Sequence, residues 1–186
     1  MTTTEVYTGD KIVLGVTGSI AAYKAAQLTR LLMSEDYDPW VILTKAAERF
    51  VTRHTFSALI RRHVYVDMFD ETPSGRPPHL LITEDARAVL IAPTSADFLG
   101  RLAAGFGDDL LSCVCLAATC PIVLAPAMHT AMWMNPIVQK NVSSLRSVGY
   151  HIIGPEEGDL AGGDAGKGRL VDPRIIVNSL KKLIDA

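Results

Sequence analysis

Between Pro126 and Trp133 the chain reads Pro-Ala-Met-His-Thr-Ala-Met-Trp, which places an imidazole, two thioethers and an indole within eight residues. Large, soft groups around a potential cation suit a pocket for a flat ligand and an acidic group. The competing reading is that Met128, Met132 and Trp133 simply pack a core. The segment follows Pro121-Ile-Val-Leu-Ala125, an apolar run expected to be a buried strand. It therefore falls just past a strand's carboxyl end, where a parallel α/β sheet presents its ligands.

Three other segments occupy the same kind of position. Gly15-Val-Thr-Gly-Ser-Ile-Ala-Ala-Tyr-Lys24 joins an apolar run to a helical one. There Gly18 allows close backbone approach, and Ser19 opens a helix whose first N–H groups could meet a phosphate. The glycine spacing is neither G-x-G-x-x-G nor a Walker loop, so a terminal phosphate fits better than a pyrophosphate, and a plain tight turn fits as well. Thr44-Lys45-Ala46 offers a hydroxyl and an ammonium, or equally an N-cap and a solvated lysine. Ala92-Pro-Thr-Ser-Ala-Asp97 offers hydroxyls and a carboxylate for a polyol and phosphate, or simply a capped helix. Among the five histidines, His54, His63 and His151 have no special neighbours. His79 follows Pro77-Pro78 and begins an apolar segment, as a fold-stabilising hydrogen-bonder or as a base at a site rim.

These segments need a scaffold. Strands are expected over Lys11–Thr17, Pro39–Thr44, Ala88–Pro93, Pro121–Ala125 and Tyr150–Ile153. Helices are expected over Ser19–Met33, Ala46–Phe50, Thr55–Ile60, Ser95–Ala104, Asp108–Ala118, Val138–Val148 and Pro173–Ile184. Residues 70–78 read as a loop and 156–167 as a flexible, glycine-rich one. Apolar strands alternating with helices imply a parallel sheet covered on both faces, so the expected fold is one doubly wound, three-layer α/β/α domain over residues 1–186, with residues 1–10 a flexible N-terminus. With 48% hydrophobic and 20% charged residues and a net charge of −2, nothing favours nucleic acid or an anionic membrane as partner. There is no signal peptide and no membrane-length apolar run, so a cytoplasmic protein is expected. Cys113, Cys115 and Cys120 are odd in number and not spaced for zinc, which points to reduced thiols and no metal site.

In order, the four segments resemble the homo-oligomeric flavin-containing cysteine decarboxylases, from about Lys11 to Leu170. The resemblance implies a Rossmann-like flavoprotein fold and FMN as cofactor. It implies FMN contacts at Gly18, Ser19, Ile20, Thr44, Lys45, Ser95, Ala96, Asp97, Ala127 and Met128. His79 falls where the family places its catalytic histidine. Pro126–Trp133 resembles the P-x-M-N-x-x-M-W substrate signature, and residues 162–170 resemble the substrate flap (156–170 here). These imply His129, Met132, Trp133, Gly162 and Arg169 as substrate contacts. His129 stands where the family has asparagine. Ala161-Gly162-Gly163-Asp164 lacks the flap cysteine that coenzyme A enzymes of the family often carry.

The implied mechanism moves a hydride from a cysteine Cβ to FMN, so that the resulting C=S group accepts the electrons as CO₂ leaves. His79 is the implied acid/base. The missing thiol, and a chain too short for a fused synthetase, lead to the expectation of a cysteine-ending peptide oxidised to an aminoenethiol. The alternatives are phosphopantothenoylcysteine and a non-catalytic regulatory subunit. The resemblance also implies a homotrimer or homododecamer with the flavin between subunits.

Overall fold

A computed structural model describes residues 9–163 and 165–185. The apolar runs become β1 (Asp10–Val16), β2 (Tyr37–Leu43), β3 (Ala86–Thr94), β4 (Ile122–Pro126) and the short β5 (His151–Ile152), paired in parallel in the order β2-β1-β3-β4-β5. The order reverses between β1 and β3, the position where doubly wound sheets open a crevice. Between the strands lie α1 (Lys24–Ser34), α2 (Arg53–Ile60), α3 (Pro78–Thr83), α4 (Ala96–Ala103), α5 (Leu110–Ala117), α6 (Thr130–Trp133) and α7 (Pro136–Ser147), with α8 (Pro173–Ile184) at the end.

Alternation along the strands divides the core in two. Ile12, Leu14 and Val16 of β1, with Leu90 and Val123, pack against α1, α2 and α8 through Leu28, Phe56 and Ile176. Val13, Val89, Ile91 and Leu124 face the other way, onto Phe98, Leu111, Val138 and Val142 of α4, α5 and α7. Both strand faces are apolar because both are covered, so the expected three-layer arrangement is the one observed. Gly15 makes that cover close on one side: a Cβ there would come within 2.5 Å of Leu111 Cδ1.

The structure departs from the sequence expectations in four places. The helix expected from Ser19 opens as a 3₁₀ turn, Ile20–Tyr23, before α1. The segment after Pro77 is itself helical, with Pro78 supplying a first residue that needs no N–H partner. Residues 130–133 form the short helix α6. The glycine-rich stretch forms an antiparallel hairpin, β6 (Glu156–Asp159) with β7 (Ala165–Arg169), rather than an unstructured loop. Its turn is closed by the Gly163 amide donating to Leu160 O at 3.0 Å, with Gly163 at φ +90°, where glycine is favoured. Residues 1–8 and Asp164 lie outside the described residues, and with them most of the expected flexible N-terminus. Among the described residues no helix is long and apolar enough to cross a membrane.

Candidate active site

Two clefts open at the carboxyl ends of the strands. The first, about 750 Å³, runs past Thr17, Gly18, Thr44, Lys45 and Ser95 to Asp97 and Arg101. The second, about 720 Å³, is walled by Ser19, Ile20, Ala127, Met128 and His129 and roofed by residues of the β6–β7 hairpin. Gly18, Ser95, Ala96 and Met132 line both, so the two adjoin. Each is in the size range of a cofactor or substrate site.

Side chains fasten the loops between them. Thr17, fully buried, donates from Oγ1 to Pro93 O at 2.8 Å and accepts from the Ser95 amide at 2.8 Å. Ser19 Oγ donates to Ala127 O at 3.1 Å and accepts from the Ala21 amide at 3.3 Å. Ser95 Oγ caps α4 by accepting from the Phe98 amide. Thr44 Oγ1 accepts from the Ala47 amide at 3.2 Å. A Cβ on Gly18 would stand 2.6 Å from Ala46 Cβ, so this glycine lets two strand-end loops touch. Thr17 was not singled out in the sequence; its signal is a hydroxyl at the last position of an apolar run.

The charged groups are mostly engaged. Lys45 Nζ pairs with Asp67 at 3.3 Å. The Phe69 amide, and then Lys45, hold the Asp67 carboxyl below its ordinary range. Asp67 and Phe69 line the first cleft, a contribution from a loop whose sequence carries no ligand signal. Arg101 gathers Asp97 (3.2 Å), Asp108 and Asp109 (3.6 Å), so the Asp97 carboxylate belongs to a surface cluster on the cleft's rim.

The signature segment divides by depth. Trp133 is 5% exposed and packs in the helix-side core, lining neither cleft. For that side chain, the core-packing alternative is the observed one. Met132 is 49% exposed and faces both clefts. His129 caps α6, its Nδ1 accepting from the Ala131 amide at 3.2 Å. That bond leaves the proton of a neutral imidazole on Nε2, the donor form suited to an anion.

The hairpin docks on this segment through main chain. The Met128 amide donates to Gly168 O at 2.9 Å. Cβ atoms on Gly168 and Gly166 would reach Met128 O and Thr130 Oγ1 at 2.2 and 2.4 Å. Gly162 and Arg169 line the second cleft from the hairpin, and Arg169 Nε pairs with Glu156 at 3.3 Å. No cysteine lines either cleft among the described residues, and burial pushes the Cys115 thiol far up. The described residues contain no cluster that could hold a metal ion.

His79 stands apart. It lies in the first turn of α3, half-buried, and lines neither cleft of its own chain. Its carbonyl accepts from Thr83 Oγ1 at 2.8 Å.

A phosphate and a polyol need donors, and the strand ends supply them. Among the described residues, the amides of Gly18 and Ile20, of Lys45 and Ala46, and of Ala96 and Asp97 meet no acceptor, and all six residues line the clefts. These are strand-end amides, two of them in the first turn of α4, where N–H groups without an intrahelical partner can meet an anion. The donor set therefore fits the phosphate and hydroxyls of a flavin mononucleotide.

Comparison with known proteins agrees with this fit. The coenzyme A biosynthesis bifunctional protein CoaBC of Haemophilus influenzae is 43% identical over 172 residues, 92% of this chain and 43% of that protein. The chain thus spans less than half the length of this curated relative. A solved PPC decarboxylase variant complexed with pantothenoylaminoethenethiol superposes with a TM-score of 0.85 at 28% identity, covering 96% of this chain and 100% of the other. The FMN-dependent cysteine decarboxylase SpaF superposes with a TM-score of 0.82 at 28% identity, covering 97% and 99%. The flavoprotein family model matches residues 1–185, and the chain belongs to that family.

Proposed function

We propose that this chain is an FMN-dependent decarboxylase acting on phosphopantothenoylcysteine. The observation that carries the substrate is the 43% identity to the coenzyme A protein across nearly all of this chain, against 28% for the cysteine decarboxylase SpaF. This takes the alternative of the sequence reading over its first choice. The first choice leaned on the absent flap thiol and on chain length, and the identity across nearly all of this chain outweighs both.

The cofactor is FMN; the unpaired amides of Gly18, Ile20, Lys45, Ala46, Ala96 and Asp97 would hold its phosphate and ribityl oxygens. Its chemistry when bound would be to accept a hydride from the cysteine Cβ, creating a sink for the electrons released with CO₂, and then to return that hydride to the enethiol, so that the net change is loss of CO₂ alone. This chain's own residues do the rest. His129 and Arg169, which both line the second cleft, hold the substrate carboxylate there. The hairpin covers that cleft and excludes water. His79 moves the thiol proton, since an imidazole exchanges protons near neutral pH. Because His79 lies outside its own chain's clefts, it serves the cleft of a neighbouring copy. The assembly is then a homotrimer or a multiple such as a dodecamer. Ile20, Tyr23 and Phe50, 58%, 63% and 48% exposed at the second cleft, are the surface a neighbour would cover.

One observation favours a second reading, oxidation of a peptide's C-terminal cysteine. The flap carries Gly162-Gly163 and no described thiol lines the clefts, so no cysteine is at hand to complete reduction of an enethiol. Mass spectrometry decides. FMN-loaded protein is incubated in air with phosphopantothenoylcysteine and, separately, with peptides ending in free or amidated cysteine. Loss of CO₂ alone from phosphopantothenoylcysteine, with the peptides intact, is the expected outcome. Loss of CO₂ plus two hydrogens from the free-cysteine peptides, with phosphopantothenoylcysteine untouched, overturns the substrate assignment.

A further inference from the structure

The helix that carries His79 on its first turn is held at its last turn by one side chain from another element. Lys11, at the start of β1, sends Nζ to the carbonyls of Leu81 and Glu84, both at 2.9 Å. The same ammonium lies 3.8 Å from the centroid of the Trp40 ring in β2. That ring is itself fixed. Trp40 Nε1 donates to Asp38 Oδ2 at 3.0 Å, Arg62 grips the same carboxylate from 2.8 and 2.9 Å, and Arg62 Cζ stands 5.2 Å from the ring centroid. An ammonium between a fixed ring and two carbonyls has little freedom.

Ile82 anchors α3 in the helix-side core, where burial fixes the helix against the sheet but leaves its carboxyl end to polar ties; the other polar ties are weaker or internal. Arg76 bonds both oxygens of Glu84 at 2.9 and 2.8 Å, but both side chains are about half-exposed, where ion pairs contribute little. The Thr83 hydroxyl bond to His79 O lies within the helix. Burial works against the Lys11 charge and lowers its pKa to about 8. An apolar side chain would cover Trp40 without that cost, yet could not reach the two carbonyls.

We propose that Lys11 is a positioning residue: by tying the carboxyl end of α3 to the first strand, it fixes where His79 stands. The proposal rests on the reading of His79 as the acid/base. Lys11 is five residues from Val16, about 17 Å along the strand from the carboxyl end of β1 where the clefts open, so it has no part in holding the cofactor.

The test compares the parent with Lys11→Met, Lys11→Arg and Trp40→Leu, all as FMN-loaded protein. Two readouts are taken: kcat and KM on the accepted cysteine substrate, and the His79 imidazole resonance in protein labelled with ¹³C-histidine. Lys11→Met should bind FMN within two-fold of the parent, lower kcat about ten-fold with KM little changed, and shift or broaden the His79 resonance while those of His129 and His151 stay in place. Lys11→Arg, which can still reach the carbonyls, should recover most of the loss. Trp40→Leu keeps the ammonium but removes its guide and should lower kcat about three-fold. It also decides the matter should Lys11→Met not fold. An unmoved His79 resonance with kcat within two-fold of the parent in whichever of these variants folds overturns the proposal. If the parent turns over no cysteine substrate, the functional reading fails, and the resonance alone decides the role of Lys11.

Discussion

At the scale of single residues, types were legible and reasons often were not. Gly18 reads in the sequence as room for a phosphate. In the fold its missing Cβ is first of all room for Ala46. Gly18→Val should therefore push two cradle loops apart and weaken FMN at least ten-fold in a fluorescence titration, while circular dichroism stays that of the parent. Trp133 reads as a pocket wall and is a core residue, because eight residues of sequence do not say which side of a four-residue helix turns inward.

Lys11 gave no sequence signal at all, since its partners are carbonyls 70 and 73 residues away. Its pKa carries a prediction with a definite sign. The folded value of about 8 lies below the ordinary 10.5, through burial, which outweighs the opposing pull of Asp85, Glu84 and Asp38, with Arg62 adding to the lowering. Between those two pH values the unfolded chain holds a proton that the folded one has lost, so stability rises as pH climbs through that window. The gain should be about 1–2 kcal/mol after allowance for solvent screening of a half-buried group. Lys11→Met should flatten this limb of a urea-unfolding series measured from pH 7.5 to 10.5, and an unchanged slope would remove Lys11 as its source.

At the scale of elements, the sheet was readable because its strands are apolar on both faces and end in turn residues. The ends of β1 to β4 then located the segments that line the two clefts. Besides the four-residue α6, two elements escaped. Helix α3 has six residues and follows a proline-rich loop, too short for a period to show. The β6–β7 hairpin has almost no branched or aromatic residue. Its strands exist because Gly166 and Gly168 can lie against the signature segment, a tertiary reason invisible in the local sequence. Gly168→Ala places a methyl 2.2 Å from Met128 O. It should lift the hairpin and raise KM about ten-fold while FMN affinity stays within two-fold, as steady-state kinetics and flavin titration would report. Thr130 Oγ1, buried beside Gly166, has no partner among the described residues. Thr130→Val should accordingly leave the melting temperature unchanged or raise it, by about 1 kcal/mol of stability.

At the scale of the whole molecule, one chain supplies cradle, signature and flap but keeps His79 away from them. No sequence pattern could show this, because sequence does not say which groups a neighbour contributes. Sedimentation should give a trimer or a multiple of three. At FMN too low to load Gly18→Val, subunit exchange between His79→Asn and Gly18→Val, each inactive alone under that condition, should restore roughly a quarter of parental activity, the fraction of sites drawing an intact cleft from one chain and an intact histidine from the other. A mixture as inactive as its components would confine His79 to its own chain. The hairpin's manner of docking has a further consequence for how such a molecule can change. Its catch on the signature is a main-chain hydrogen bond and two glycines, so the residues at its tip, Leu160 to Gly163, carry no part of the fastening. They can be exchanged for other side chains while the flavin cradle stays intact. On the proposed function, the substrates accepted could therefore change at the tip without disturbing the loops that would hold the flavin.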